Sequence, residues 1–195
     1  MGQTQSFRGF LDPVDAKRIR MSLSSGKEIG GIMRLDPTTN ILKSEPFISG
    51  ERTSINIPLG KFEFHTHPNK CLSKKKCALG VPSIEDLENI YDRGADGNCY
   101  HLVFAHEGLY VVGLKPEYRG IFRQISDVRH PEQLFKQISH LTGDFYRSGV
   151  MGMTYKKFRT KWLLLINSPN SPFRVQYVSK RSKEPISMII DLNGC

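Results

Sequence analysis

The sequence predicts an α/β protein of the α+β kind, with strands and helices gathered in one main domain. Three observations predict it. Several short runs alternate apolar and polar residues, as half-buried strands do. Between them lie segments whose apolar residues recur at helical spacing, beginning near Pro13, Ser83, Pro131 and Tyr155. And the chain has 195 residues, 38% hydrophobic and 24% charged, enough to bury a substantial core with the composition of an ordinary soluble protein.

Residues 1–11 carry no clear pattern and are expected as a flexible lead-in. Asp12-Pro13 reads as a helix start, with Pro at the first helical position and Val14, Ile19 and Leu23 on the buried side. Ser25-Gly26 ends that helix. Glu28–Leu35 is the first strand, with Gly30 and Gly31 permitting either a close backbone approach or a bulge. Asp36-Pro37-Thr38-Thr39-Asn40 is a turn. Strands follow at Ile41–Ile48 and, briefly, Ser54–Ile57.

Phe62–Thr66 is the strand that matters most. Successive side chains point to opposite faces, so Phe62, Phe64 and Thr66 share one face and Lys61, Glu63, His65 and His67 the other. Two imidazoles thus aim the same way, and Pro68 stops the strand. Pro82-Ser83 starts a helix running to Arg93, with Ser83 as N-cap and Ile84, Leu87, Ile90 and Tyr91 as its apolar stripe. Asp86 falls in the first turn, off that stripe. Cys99–Ala105 and Leu109–Leu114 flank His106-Glu107-Gly108 as a hairpin. His101 and His106 read as strand and turn residues, and His130 and His140 have no motif partners. Pro131 opens a helix with Leu134, Phe135, Ile138, Leu141 and Phe145 on one stripe. Another helix spans about 153 to 166, and strands follow at Phe173–Val178 and Pro185–Leu192.

Two neutral imidazoles, one carboxylate and a water form a set that catalytic zinc uses. His65, His67 and Asp86 could supply the first three, and Glu28 is the upstream carboxylate that could take a proton from the water. Each piece has a plainer reading. H-x-H is shared by cupins, amidohydrolases, phosphoesterases and metallo-β-lactamases. Ser83-x-x-Asp86 alone is a capping box, and Glu28 alone a solvated carboxylate. The chain is too short for a full (β/α)₈ barrel of about 250 residues, has no Asp-His after His67, and carries too many helices for a cupin.

In this order the pieces resemble the JAMM domain, also called MPN or Mov34, a family of zinc deubiquitinases and related isopeptidases. The matching residues are Glu28; His65-Thr66-His67-Pro68; and Ser83-Ile84-Glu85-Asp86. The resemblance spans about residues 13–145. It implies a cytidine-deaminase-like mixed central sheet flanked by helices, in a domain at 12–150, with residues 151–195 as a helix and strand extension packing on it. It also implies one catalytic zinc ion on His65, His67 and Asp86, Glu28 as general acid/base on the zinc-activated water, and Ser83 as a donor to the oxyanion. Ubiquitin or ubiquitin-like conjugates would be the substrates. The chain departs from the pattern in one place. Fifteen residues, 68–82, separate His67 from Ser83, about twice the usual link, which makes 69–80 an insertion beside the site. Two alternatives stay open: a non-catalytic or occluded scaffold in a larger assembly, viral ones included, and another zinc metallohydrolase acting on phosphate esters. No phosphate-cradling loop supports the latter.

The net charge is +9, and basic runs occur at Lys74–Lys76, Lys156–Lys161 and Ser179–Lys183. An acidic protein or anionic membrane is compatible with them, as is a solvated surface. Few aromatics interleave, which speaks against nucleic acid. Four cysteines, at 71, 77, 99 and 195, do not make a secreted disulfide framework, so a reducing, cytoplasmic setting is expected. Cys71 and Cys77 could be free thiols, a redox pair or ligands of a second metal. No apolar run is long enough to span a bilayer. Met1-Gly2-Gln3-Thr4-Gln5-Ser6 matches an N-myristoylation pattern, making Gly2 a lipidation candidate that, with a basic patch, could give membrane or virion association.

Overall fold

Among the described residues, ten strands form, most of them on alternating or β-branched and aromatic runs, and four capped or amphipathic α-helices pack on them. A computed structural model describes residues 4–36, 38–39, 41–51, 55–68, 71–73, 76–77, 80–94, 100–119, 131–147, 153–179 and 186–191. In chain order the elements are β1 (Thr4–Leu11), α1 (Pro13–Ser25), β2 (Ile29–Asp36), β3 (Ile41–Ser49), β4 (Phe62–His67), β5 (Cys71–Ser73), β6 (Lys76–Cys77), α2 (Ile84–Arg93), β7 (Tyr100–Ala105), β8 (Gly108–Leu114), α3 (Glu132–Arg147), α4 (Tyr155–Ile166), β9 (Phe173–Ser179) and β10 (Ile186–Asp191). Eight strands form one mixed, curled sheet in the order β10-β1-β3-β2-β4-β7-β8-β9, and β5 and β6 form a separate ribbon. The pairs β1–β3 and β4–β7 are parallel and the other pairs antiparallel. The fold is therefore α+β.

Helices cover both faces. On one side α1 presses Ile19 and Leu23 onto Met33, Leu42, Phe64, Leu102, Phe104, Leu109 and Val111. On the other, α2, α3 and α4 bury Leu87, Ile90, Tyr91, Leu134, Phe135, Ile138, Phe158, Trp162 and Ile166 against Val103, Tyr110, Val112, Leu114 and Phe173. β7 and β8 are buried along their whole length because they lie between these two layers. At about 25 cal/mol per Å² of apolar surface, such two-sided burial is the main stabilising term here.

The caps explain where the helices that frame the site begin. Asp12 accepts hydrogen bonds from the Val14 and Asp15 amides at the start of α1, and Gly26, at φ 77°, ends it in the left-handed conformation. At α2 the Ser83 hydroxyl accepts from the Asp86 amide while Asp86 accepts from the Ser83 amide, a reciprocal capping box.

Three expectations need correction. The lead-in at 1–11 is not loose from Thr4 onward: Thr4–Leu11 is a strand held between β10 and β3. Its local pattern is weak, and both partners lie far away in sequence. No strand forms over residues 55–57, and Ser54 lies outside the described residues; the side chains of Ile55 and Ile57 lie over Gly30 of β2. Within 69–80, the backbone of 71–73 and 76–77 forms the antiparallel β5–β6 ribbon, pairing Cys71 with Cys77, in place of a plain loop. The thiols of Cys71 and Cys77, like Gly2, Cys99, His130, Cys195 and most of the Ser179–Lys183 run, lie outside what is described. Among the described residues no helix is long and apolar enough to cross a membrane.

Candidate metal centre

β4 is the spine of the site. Its Phe64 and Thr66 are fully buried on the α1 side. Its Glu63, His65 and His67 point to the α2 side, as the alternation requires. The buried hydroxyl of Thr66, the middle residue of His-Thr-His, ties this strand to its neighbours. It lies 2.9 Å from the Ser22 hydroxyl of α1 and accepts from the Ile29 amide at 3.0 Å. Ser22 in turn donates to the Lys27 carbonyl. These bonds place the α1–β2 turn, and Glu28 within it, next to the end of β4.

Glu28 stands in that turn just ahead of β2. Its amide donates to Glu51 O and its carbonyl accepts from the Gly50 amide, each at 2.9 Å. The β2–β4 register pairs Gly30 with His65 and Gly31 with Phe64. Extended by two residues past those pairs, that register would bring Glu28 level with His67, and His67 is among the charges that act on Glu28. Gly30 has no room for a side chain, since a Cβ would lie 2.6 Å from the Phe64 carbonyl oxygen. That close approach is the role of the glycine beside the site.

The capping box of α2 delivers Asp86. Its Oδ1 lies 3.3 Å from His65 Nε2, and its Oδ2 lies 3.1 Å from His67 Nε2. The two ring nitrogens are 2.8 Å apart. Three ligand-type atoms, one from each of His65, His67 and Asp86, thus cluster at one point. Separations near 3 Å suit bonds of about 2.0–2.2 Å from one ion to imidazole nitrogen and carboxylate oxygen. The residues fit a zinc ion in donor type and in spacing.

The electrostatics suit the same use. Burial pushes the His65 imidazolium down to about 4, against the opposing pull of Asp86, so the ring is neutral at physiological pH, as a ligand must be. Burial would raise the Asp86 carboxyl, but the interactions with His65 and His67 hold it well below the usual range. Burial raises Glu28 to about 7, with His67 opposing and Asp86 and Glu85 reinforcing. Ser83 is exposed, and its hydroxyl donates to Asp86 Oδ2 at 2.8 Å.

His65, His67 and Asp86 converge, Ser83 bonds Asp86, and Glu28 is electrostatically coupled to His67 and Asp86; other residues join them. His101 Nε2 lies 2.6 Å from His65 Nδ1. Glu63, with no exposed surface, lies beyond it, and its Oε2 accepts from Arg93 at 2.9 Å. Burial works against the Glu63 carboxylate, but contacts with His101, Arg93 and the Gly60 amide leave its pKa lowered. Sequence reasoning put Glu63 on the ligand face and attached no role to it. It left His101 as a strand residue, because only the parallel pairing of Glu63 with His101 brings that ring to the site. His106 and His140 take no part in the cluster. Comparison with protein-family models, curated proteins and solved structures found no match for this chain.

Proposed function

We propose that this chain is a zinc-dependent isopeptidase or peptidase of the JAMM type, which removes ubiquitin or a ubiquitin-like modifier from its conjugates. The observation that carries the reading is the convergence of His65, His67 and Asp86, with the buried Glu28 electrostatically coupled to His67 and Asp86. Zinc bound there would polarise a scissile carbonyl and make a water acidic near neutral pH.

The side chains would do the rest. Glu28, a buried carboxyl electrostatically coupled to His67 and Asp86, is the group that would take a proton and return it to a leaving amine. Ser83, exposed at the N-terminus of α2, can turn its O–H from Asp86 toward a developing oxyanion, where the helix amides add a favourable field. Asp86 keeps its amide bond from Ser83 when that hydroxyl turns. The JAMM arrangement of the sheet is part of this proposal; it agrees with the mixed sheet and with a helix N-terminus beside an H-x-H strand.

The deciding experiment incubates zinc-loaded protein with diubiquitins of every linkage, with and without chelator. Cleavage that chelator abolishes and added zinc restores is expected. A chain that holds zinc yet cuts no linkage and no ubiquitin-like fusion would overturn the peptidase reading.

A further inference from the structure

Behind the three ligand atoms runs a second line of polar side chains. His65 Nδ1 faces His101 Nε2 at 2.6 Å, and His101 Nδ1 lies 3.4 Å from Glu63 Oε2. That Nδ1 is buried and makes no hydrogen bond among the described residues, so Glu63 is the acceptor it faces. Glu63 Oε1 takes the Gly60 amide at 3.1 Å and Oε2 takes Arg93 at 2.9 Å, while Arg93 also bonds the Ile57 carbonyl at 3.0 Å. The line crosses three elements and is anchored at its far end by a guanidinium.

We propose that His101 and Glu63 are positioning residues for the metal centre, a buried carboxylate–imidazole pair that holds His65 in the tautomer and orientation needed to ligate through Nε2. This rests on the zinc reading above and extends it to side chains outside the resembled motif. Proton placement assigns these roles. If Nε2 of His65 offers its lone pair to an ion, the ring proton sits on Nδ1 and must be donated to something. His101 Nε2 is the acceptor at that point. Accepting there puts the His101 proton on Nδ1, facing the buried carboxylate. Each step has one partner, so the tautomers are set from the Glu63 end. A ligating histidine commonly donates its second N–H to a carboxylate or carbonyl, and loss of that partner typically costs about 10–100-fold in metal affinity. Here an extra imidazole is interposed, because the parallel β4–β7 register brings Glu63 opposite His101, two residues short of His65.

The test measures zinc affinity of the full chain by competition with a chromophoric chelator, together with the visible spectrum of the cobalt form and the melting temperature in excess chelator. His101→Phe fills the space and removes the acceptor. A fall in affinity of about 10–100-fold with an altered cobalt spectrum is expected. His101→Gln, whose amide can accept from His65 and donate to Glu63, should recover most of both. Should H101F fail to fold, Glu63→Gln serves: it removes the negative charge that His101 Nδ1 faces and should weaken zinc binding. Wild-type affinity in H101F or E63Q overturns the proposal. So does an equal loss in H101F and H101Q that follows metal-free melting temperature alone, since packing would then explain it. If the wild-type chain binds no zinc, the metal reading itself fails and this falls with it. If it binds zinc but cleaves nothing, only the peptidase reading fails.

Discussion

Two carboxylates near the same end of the sheet are surrounded in opposite ways. Glu107, in the turn between β7 and β8, receives hydroxyl donors. Tyr110 bonds its Oε1 at 2.9 Å, Tyr155 bonds the same oxygen, and Tyr177 bonds its main-chain carbonyl at 2.8 Å. Arg159 donates to the Tyr177 hydroxyl and lies 4.1 Å over its ring. Burial, reinforced by Glu107, pushes both Tyr110 and Tyr155 up, so these phenols stay protonated donors. Asp86 instead meets two imidazole nitrogens, with a third acid, Glu28, buried nearby. Around Glu107 donors close on an acceptor, and the network is complete as a structural knot. Around Asp86 the converging atoms are of ligand type, on elements whose backbones are pinned by capping and by Thr66. The first arrangement locks β8, β9 and α4 together; it also fixes the root of the 69–80 insertion, where a Cβ on Gly80 would fall 2.1 Å from Glu107 Oε1. The second arrangement is suited to chemistry.

Activity separates the two regions most sharply. Glu28→Gln keeps size and hydrogen bonding but cannot move a proton. Turnover of a cleavable conjugate should drop by about 10²–10⁴-fold, while metal analysis still finds one zinc per chain. Tyr155→Phe, at the other carboxylate, should leave turnover near wild type. Loss of zinc in E28Q, or equal loss of turnover in both variants, would erase the distinction between the two regions.

A second effect, in stability, separates Glu28 from Asp86. Glu28 has a folded pKa of about 7 against an ordinary 4.5. Its folded form holds a proton more tightly than the unfolded form does, so the associated stability is full at low pH and is lost as pH rises through 7. Asp86 has the opposite sign: its lowered pKa contributes stability above the ordinary 3.8, lost as pH falls through the folded value. In metal-free protein, urea unfolding should find E28Q little different from wild type near pH 5. Near pH 8 the variant should be the more stable by on the order of 3 kcal/mol. A constant difference across that range would show that Glu28 is not held neutral by burial.

How far the sequence foretold all this differs between the same two regions. The His65, His67 and Asp86 cluster was partly legible because its pieces are local patterns: two histidines two residues apart on a strand, and a Ser-x-x-Asp cap opening a helix. Glu28, far away in sequence, had no local spacing to tie it to the histidines, since the β2–β4 pairing that brings its strand beside theirs is long-range. The Glu107 knot was not legible at all. Tyr110, Tyr155 and Tyr177 lie on three elements and are joined only by sheet order and by α4 packing against the same face. His101 was hidden for the same reason. β1 was missed because Thr4–Leu11 owes its conformation to β3 and β10 more than to its own pattern.

The smallest effect is the most diagnostic of the structural knot. Glu107 Oε1 has two phenolic donors, so Tyr155→Phe leaves Tyr110 in place and Tyr110→Phe leaves Tyr155. Each single change should cost about 1 kcal/mol, the net value of one hydrogen bond. The double variant removes both hydroxyls and leaves a partly buried carboxylate oxygen without them. Its cost should exceed the sum of the singles, with a coupling of about 0.5–3 kcal/mol. Urea unfolding of the four proteins in excess chelator gives that coupling free of any metal contribution. Strict additivity would mean that water replaces the lost hydroxyls. Glu107 would then be a solvated turn residue, and the insertion's root at Gly80 would need another anchor.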